Sequence, residues 1–138
     1  MSAVPGATAG YSGTPLPRKL GIRAGDQVLL LDAPVGFEAL LAGLPEGARV
    51  VRRARSAGVL LLFVPSAAAL GARFARATAA LAPKGKLWIV WPKKASGVVT
   101  DVTEAVVRAF GLANGFVDYK VCAVDETWSG LCFARKKP

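Results

Sequence analysis

The run VLLLFV at residues 59–64 constrains the fold most, because all of its side chains are apolar. A strand that is apolar on both faces must be covered on both faces, which is typical of parallel sheets. A second run of this kind, LWIVW at residues 87–91, follows after one helical segment. The two runs predict an α/β protein built on a buried parallel sheet.

The remaining segments complete this prediction. Residues 27–31 and 48–51 have the pattern of short strands, and residues 37–44 have apolar side chains at helical spacing. Ser66 is a suitable N-cap for a second helix, and Asp101 with Glu104 marks the start of a third. Residues 116–124 and 128–135 predict an antiparallel hairpin. We therefore expect a Rossmann-like, doubly wound, mostly parallel sheet of about six strands.

The domain organisation follows from composition. Residues 1–17 are rich in Gly, Ala, Ser, Thr and Pro and predict a flexible N-terminal tail. Residues 18–138 are then a single α/β domain. The start of the sequence lacks the pattern of a secretory signal, and no apolar run has the length of a membrane span. We expect a cytoplasmic protein with no membrane partner.

Charge and residue usage restrict the chemistry. The sequence has 18 Lys and Arg against nine acids, a formal net charge of +9, which favours anionic partners, including nucleic acid. A basic surface that only adds solubility explains the charge equally well. The absence of histidine removes the commonest general base, and two cysteines are too few for a zinc site. We expect no metal, and we expect both thiols to be reduced.

Four segments carry a resemblance to a known family: GYSGTPLPRKLGI, DAPVGFEALL, WPKKASGVVTDVTE and VCAVDETWSGL. Together they resemble a bacterial family called domain of unknown function 3052. Its members look like shortened relatives of class I S-adenosylmethionine-dependent methyltransferases. The resemblance implies a methyltransferase-like topology whose last strand is reversed, and it implies no established activity.

The loop after the first strand decides whether a cofactor is expected. Aligned with an acid-x-Gly-x-Gly-x-Gly pattern, it presents Asp32, Pro34, Gly36 and Glu38, so only the middle glycine is kept. Pro34 removes a backbone donor, and the Glu38 charge repels a bound carboxylate or phosphate. We expect no cofactor here and disfavour S-adenosylmethionine. A tight strand-to-helix turn with no ligand is the simpler interpretation.

The end of the second strand supports the same expectation. An acid that would hold ribose hydroxyls is missing, and a basic patch takes its place. An arginine at this point could meet the 2′-phosphate of NADP, although the missing glycines weaken that hypothesis. The patch consists of Arg49, Arg52, Arg53 and Arg55.

The loop PKKASG after residue 91 is a candidate anion site. Pro92, Lys93 and Lys94 follow a central strand, and Ser96 and Gly97 precede a helix. Lysines beside free helical N–H groups bind phosphate, sulfate or a nucleic-acid backbone. The alternative is that both lysines are solvated charges at a loop tip.

The hairpin loop DETWSG brings Asp125, Glu126 and Trp128 to the same sheet edge, together with Ser66. A carboxylate beside an aromatic ring could act as a base or bind a planar cation. The alternatives are a plain hairpin turn with a packed Trp128, and ion pairs with Lys93 or Lys94. Cys122 and Cys132 lie opposite each other if the hairpin register centres on Thr127.

Three functions fit these features. The first is a non-catalytic binding module for an anionic small molecule or a macromolecular partner, with a degenerate S-adenosylmethionine site. The second is a divergent S-adenosylmethionine-dependent methyltransferase. The third is a basic nucleic-acid-associated accessory protein. The incomplete glycine loop favours the first function over the second.

Overall fold

The computed structural model describes residues 13–137. In this part of the chain, six strands form one sheet in the order β2-β1-β3-β4-β6-β5. The strands are β1 (Gln27–Leu31), β2 (Arg49–Val51), β3 (Ala57–Phe63), β4 (Leu81–Pro92), β5 (Phe116–Ala123) and β6 (Trp128–Arg135). The α-helices are α1 (Leu16–Lys19), α2 (Ala67–Ala79) and α3 (Glu104–Ala113), with 3-10 turns at Phe37–Leu41 and Lys94–Ser96.

The pairing of the strands confirms the predicted fold class. Strands β2, β1, β3 and β4 are parallel to one another, and β6 is antiparallel to both β4 and β5. Trp128 at the start of β6 is the register partner of Pro92 at the end of β4. The β5–β6 turn therefore lies beside the carboxyl ends of the parallel strands. We call this side of the sheet, with the loops that follow β1, β3 and β4, the carboxyl edge.

The sheet separates two hydrophobic layers. Helices α2 and α3 pack on one face, and α1 with the first 3-10 turn covers the other. Strand β3 contributes to both layers in alternation: Leu60 and Leu62 belong to one, and Leu61 and Phe63 to the other. All four are at most 1% exposed, which is the two-sided burial that the apolar run predicts.

Helix α2 begins as predicted. The Ser66 hydroxyl accepts a hydrogen bond from the backbone N–H of Ala69 at 3.1 Å, so Ser66 is its N-cap. Leu70, Phe74 and Ala77 are buried on one stripe of the helix. The side chains at this spacing therefore attach α2 to the sheet.

The predicted helix over residues 37–44 is wrong. Only the five-residue 3-10 turn Phe37–Leu41 forms there. Gly43 has a φ of +84°, in the left-handed region that ends helices, and Pro45 follows it. A 3-10 turn buries Phe37 and Leu41 without the length that an α-helix needs.

The third helix differs from its predicted boundaries. Thr103 is the N-cap of α3 and accepts a hydrogen bond from the N–H of Val106. Val107 is fully buried and Val106 is 37% exposed, so the face that contains Val107 packs against the sheet. The helix passes Gly111 and reaches Ala113.

The boundary at residue 18 falls partly outside the described residues, which begin at residue 13. Within them, Leu16 and Pro17 already belong to α1 and are buried. Packed structure therefore starts before Arg18.

Candidate functional site at the carboxyl edge

Asp32 directly follows β1 and has a left-handed conformation, with a φ of +61°. Aspartate tolerates this region better than most residues with a Cβ atom. Its Oδ2 atom lies 2.5 Å from Nη2 of Arg76 and 3.4 Å from Nε of Arg73, both on α2. Among the described contacts Oδ1 has no partner, and one third of the side chain is exposed. Asp32 therefore keeps one oxygen available at the carboxyl edge.

Arg52, just after β2, ties the loop that follows β1 into place. Its guanidinium donates to both carboxylate oxygens of Glu38, at 2.7 and 3.0 Å. It also donates to the carbonyl oxygens of Ala33 and Pro34, at 3.1 and 3.0 Å. The hydrogen bond from Arg52 holds the pKa of Glu38 at about 2, well below its ordinary value, so this carboxylate stays ionised.

This network explains how the loop keeps its shape without three glycines. Gly36 has a φ of +85° and supplies the one turn that requires glycine. A Cβ atom built there meets nothing within 4 Å, so there is open space over the loop. Arg52 occupies the end of β2, where the resemblance implies a ribose-binding acid. The sequence showed this exchange of residue type, but it did not show that Arg52 binds Glu38.

The lysine loop after β4 lies at the carboxyl edge, but its predicted helical N–H groups are not free. The N–H groups of Ser96 and Gly97 donate to the carbonyls of Lys93 and Lys94. The hydroxyl of Ser96 accepts from the N–H of Val98 and donates to the Lys93 carbonyl. Since α3 starts only at its Thr103 cap, the expectation of free helical N–H groups beside the lysines is wrong, and anion binding by the lysines themselves stays a prediction.

A cavity of about 330 Å³ nevertheless opens beside the two lysines. Trp91 forms an apolar wall, and Thr103 and Ser129 bring hydroxyl groups. Lys93 is half-buried, Lys94 is exposed, and neither forms an ion pair with any described carboxylate. We call this space the lysine cavity. Its charge is positive and its wall is apolar.

The β5–β6 turn is a hairpin turn with a packed Trp128, which is one of the alternatives that the sequence left open. Oδ1 of Asp125 accepts from the N–H groups of Thr127 and Trp128, both at 2.8 Å, as in an Asx turn. The Trp128 ring packs edge-on against Phe63 at 5.1 Å between centroids. Glu126 is exposed and, like Asp125, pairs with neither Lys93 nor Lys94 in the described structure.

Two further contacts join the segment between the lysine loop and α3 to the residues at the start of α2. Oδ1 of Asp101 accepts from the N–H of Ala67 at 2.8 Å, and the Thr100 hydroxyl donates to the Pro65 carbonyl at 2.8 Å. The Lys93 N–H also donates to the Thr127 carbonyl. The sequence pattern predicts that Asp101 marks the start of α3. No local signal points to a partner 34 residues earlier.

The basic patch divides into two kinds of residue. Arg52 is engaged by Glu38 and the loop carbonyls. Arg49, Arg53 and Arg55 are exposed and have no described hydrogen bond through their side chains. Within the patch, Arg52 therefore has a structural role, and the other three arginines are exposed charges.

The two thiols lie on one face of the hairpin but are not opposite each other. Cys132 is the register partner of Lys120, and Cys122 is the partner of Gly130. Burial raises the pKa of both thiols, that of Cys132 to about 11. At neutral pH they are protonated and weakly nucleophilic.

Residues 13–137 contain no group of three or more acids or cysteines placed to hold a metal ion. Within the same range, no helix has the length and apolar character that crossing a membrane requires.

No protein-family model matches this sequence, and no curated protein matches it. The resemblance to domain of unknown function 3052 is therefore not confirmed. Solved structures do match.

A protein solved as the DhpI–SAH complex superimposes with a TM-score of 0.60 at 15% identity, over 93% of this chain and 85% of that one. A methyltransferase of Burkholderia thailandensis, which acts on 1,6-didemethyltoxoflavin and was solved with S-adenosylhomocysteine, gives a TM-score of 0.53 at 15% identity. That match covers 88% of this chain and 75% of the enzyme. A possible exported protein from Bordetella parapertussis gives 0.58 at 14%, over 88% of this chain but only 65% of that one.

The fold is that of methyltransferase-like Rossmann proteins, and identities this low show the fold alone.

Whether the adenosyl cofactor of such proteins fits depends on the loop after β1. Asp32 offers a free carboxylate oxygen for a cationic group, and the space over Gly36 is open. At the ribose end the fit is poorer, because Arg52 cannot accept a hydroxyl hydrogen. The ionised Glu38 beside it is the nearest described acceptor.

Proposed function

We propose that the protein is a divergent S-adenosylmethionine-dependent methyltransferase whose acceptor is a small anion held beside Lys93 and Lys94. The lysine cavity carries this proposal. It lies at the carboxyl edge, where ligands of open α/β sheets bind. The shared fold with two proteins solved with S-adenosylhomocysteine supports an enzyme better than a non-catalytic module.

The class of acceptor follows from the charges around the cavity. Lys93 and Lys94 have no described carboxylate partner. Glu104 on the rim is bound by Arg108 at 2.7 Å. An anion entering the cavity would therefore meet uncompensated positive charge. The wall of Trp91, which is 4% exposed, suits an apolar or planar group, and about 330 Å³ is enough for a small molecule.

The cofactor, when bound, supplies an electrophilic methyl group. Within this chain, Asp32 offers a counter-charge at the end of β1, and Glu38 offers an acceptor for hydroxyl groups. The lysines would hold the acceptor at the end of β4. This arrangement assigns the cofactor to the end of β1 and the acceptor to the end of β4, two strand ends that β3 separates in the same sheet.

A second candidate is the non-catalytic anion-binding module. The Arg52 network favours it, because this side chain occupies the ribose end and holds the loop carbonyls. On this interpretation the lysine cavity still binds an anion, but no adenosyl group enters.

One pair of measurements separates the two candidates. Melting temperature is recorded with excess S-adenosylhomocysteine, and benzoate, a planar anion, is titrated separately. A ligand at about a hundred times its dissociation constant stabilises by about 2.7 kcal/mol, which raises the melting temperature by several degrees. The variant Lys93→Ala with Lys94→Ala is compared with Lys84→Ala plus Lys137→Ala, two exposed lysines away from the cavity.

Stabilisation by S-adenosylhomocysteine supports the methyltransferase. The module is supported instead if two results are found together. Only the Lys93→Ala plus Lys94→Ala variant loses benzoate binding, and S-adenosylhomocysteine does not change the melting temperature. If neither compound binds, both candidates fail. A polynucleotide that binds with a steep salt dependence would then favour the nucleic-acid accessory protein.

A further inference from the structure

A second cavity, of about 310 Å³, lies between the carboxyl end of β2 and helix α2. Arg52, Arg53 and Arg76 surround it, and Leu29 and Leu31 with two alanines form its apolar floor. From this combination we infer that the cavity binds a small organic phosphate ester. We call it the arginine cavity.

The cavity exists because of the short β2–β3 connection. Residues 52–56 pass from β2 to β3 without a helix, although parallel strands are usually joined by a longer helical crossover. Within residues 13–137, helix α2 therefore has no neighbouring helix on the β2 side, and the cavity opens between α2 and the connection. The connection itself places Arg53 at the rim.

The charges around the arginine cavity are not balanced. Arg73 and Arg76 share the single carboxylate of Asp32, and Arg52 pairs with Glu38. Arg53 has no hydrogen bond or ion pair with any residue in the described part of the chain. Four guanidinium groups therefore share two carboxylates. Arg76 makes the shorter contact with Asp32, so among the three arginines that line the cavity the unpaired charge lies with Arg53. Guanidinium groups bind phosphate oxygens through paired, charge-assisted hydrogen bonds.

The floor favours an organic phosphate over a bare ion. Leu31 is half-buried, so a ligand that reaches it replaces water with an apolar contact. The volume is at the lower end of the range for small-ligand sites. This volume suits a nucleoside monophosphate, whose phosphate would lie between Arg53 and Arg76 and whose base would lie against Leu31.

This site is separate from the lysine cavity, with which it shares no residue. Arg52, which the proposed function places at the ribose end of the cofactor site, also lines the arginine cavity, but the inference does not require S-adenosylmethionine to bind. A protein that fails to respond to S-adenosylhomocysteine can still bind a phosphate ester here. Lys93→Ala with Lys94→Ala is expected to leave phosphate-ester binding unchanged.

The test is a calorimetric titration of the full chain with AMP, with adenosine as the ligand that lacks the phosphate. We expect saturable AMP binding and at least tenfold weaker adenosine binding. Arg53→Gln should weaken AMP binding about tenfold, which is the loss of about one charge-assisted contact. Arg55→Gln is the matched control, because it removes the same charge two residues away and outside the cavity.

Arg76→Gln provides a second variant on a different element, and it should weaken AMP binding in the same direction. Equal affinities for AMP and adenosine would overturn the inference. So would equal effects of the substitutions at residues 53 and 55. The inference would also fail if an RNA oligomer bound more tightly than AMP, with a steep salt dependence that Arg53→Gln and Arg55→Gln flatten equally. These charges would then bind a nucleic-acid backbone instead.

Discussion

Arg52 and Glu38 form a two-point ion pair between the end of β2 and the first 3-10 turn, with Nε–Oε2 at 2.7 Å and Nη2–Oε1 at 3.0 Å. The same guanidinium holds two loop carbonyls. The conformation of the loop after β1 therefore depends on a side chain from the neighbouring strand, and this dependence can be tested.

Replacing Arg52 should change the titration of Glu38. In the folded protein Arg52 keeps the pKa of Glu38 at about 2. In Arg52→Gln we expect this pKa to return toward about 4.3, the ordinary value for glutamate. Carbon-detected NMR of the Glu38 carboxyl group across pH 2 to 6 measures it. Arg55→Gln is the control, and an unchanged Glu38 titration in Arg52→Gln would contradict the ion pair.

The same ion pair predicts a direction for stability against pH. Because the folded-state pKa of Glu38 lies below the unfolded value, the contribution of Glu38 to the free energy of unfolding is fully present above about pH 4.3. The contribution is lost as pH falls toward about 2. Wild type should therefore lose more stability than Arg52→Gln over this interval, as measured by urea unfolding. Parallel curves for the two proteins would refute the assignment.

Two helical glycines should respond to alanine in opposite directions. At Gly111 a Cβ atom would overlap the ring of Phe133, so Gly111→Ala should destabilise by roughly 1–3 kcal/mol. At Gly71 nothing lies within 4 Å, so Gly71→Ala should stabilise α2 by roughly 0.5–1 kcal/mol. Denaturant unfolding of both variants measures the difference. Stabilisation by Gly111→Ala would mean that α3 and β6 are not in close contact.

Asp101 should contribute to helix α2 from outside it. Asp101→Ala removes the acceptor for the Ala67 N–H and should cost about 1 kcal/mol of unfolding free energy, which is the usual cost of a lost cap. Asp101→Asn retains an oxygen acceptor and should cost less than half as much. Equal losses in the two variants would show that charge, and not this hydrogen bond, is responsible.

The thiols should react slowly while the protein is folded. With its pKa raised by burial to about 11, Cys132 is ionised in about one molecule per thousand at pH 8. A colourimetric disulfide reagent should therefore modify it far more slowly than in urea. Cys122→Ser isolates the signal of Cys132. Reaction at the rate of a free thiol in the folded protein would contradict the described burial.

Much of the fold is predictable because its signals are local. The apolar run in β3 and the Ser66 cap are set by neighbouring residues. The 3-10 turn was missed because Phe37, Leu40 and Leu41 suit either helix type. Its early end depends on Gly43, whose left-handed φ the sequence only permits.

The candidate site was less predictable because its important contacts are distant in sequence. Helical N–H groups were expected beside Lys93 and Lys94, but local turns satisfy them. The partners of Arg52 and Asp101 lie 14 and 34 residues away. Residue type identified the edge of the sheet where these side chains meet, and only the structure shows which of them are already paired.

The two-sided burial of β3 also has a consequence for hydrogen exchange. Its side chains belong to both hydrophobic layers, so loosening either layer alone leaves the strand held by the other. Its backbone amides, between β1 and β4, should exchange with solvent only when the whole domain opens. The three-residue edge strand β2 should exchange much earlier, so the slowest deuterium uptake in the chain would lie within Ala57–Phe63.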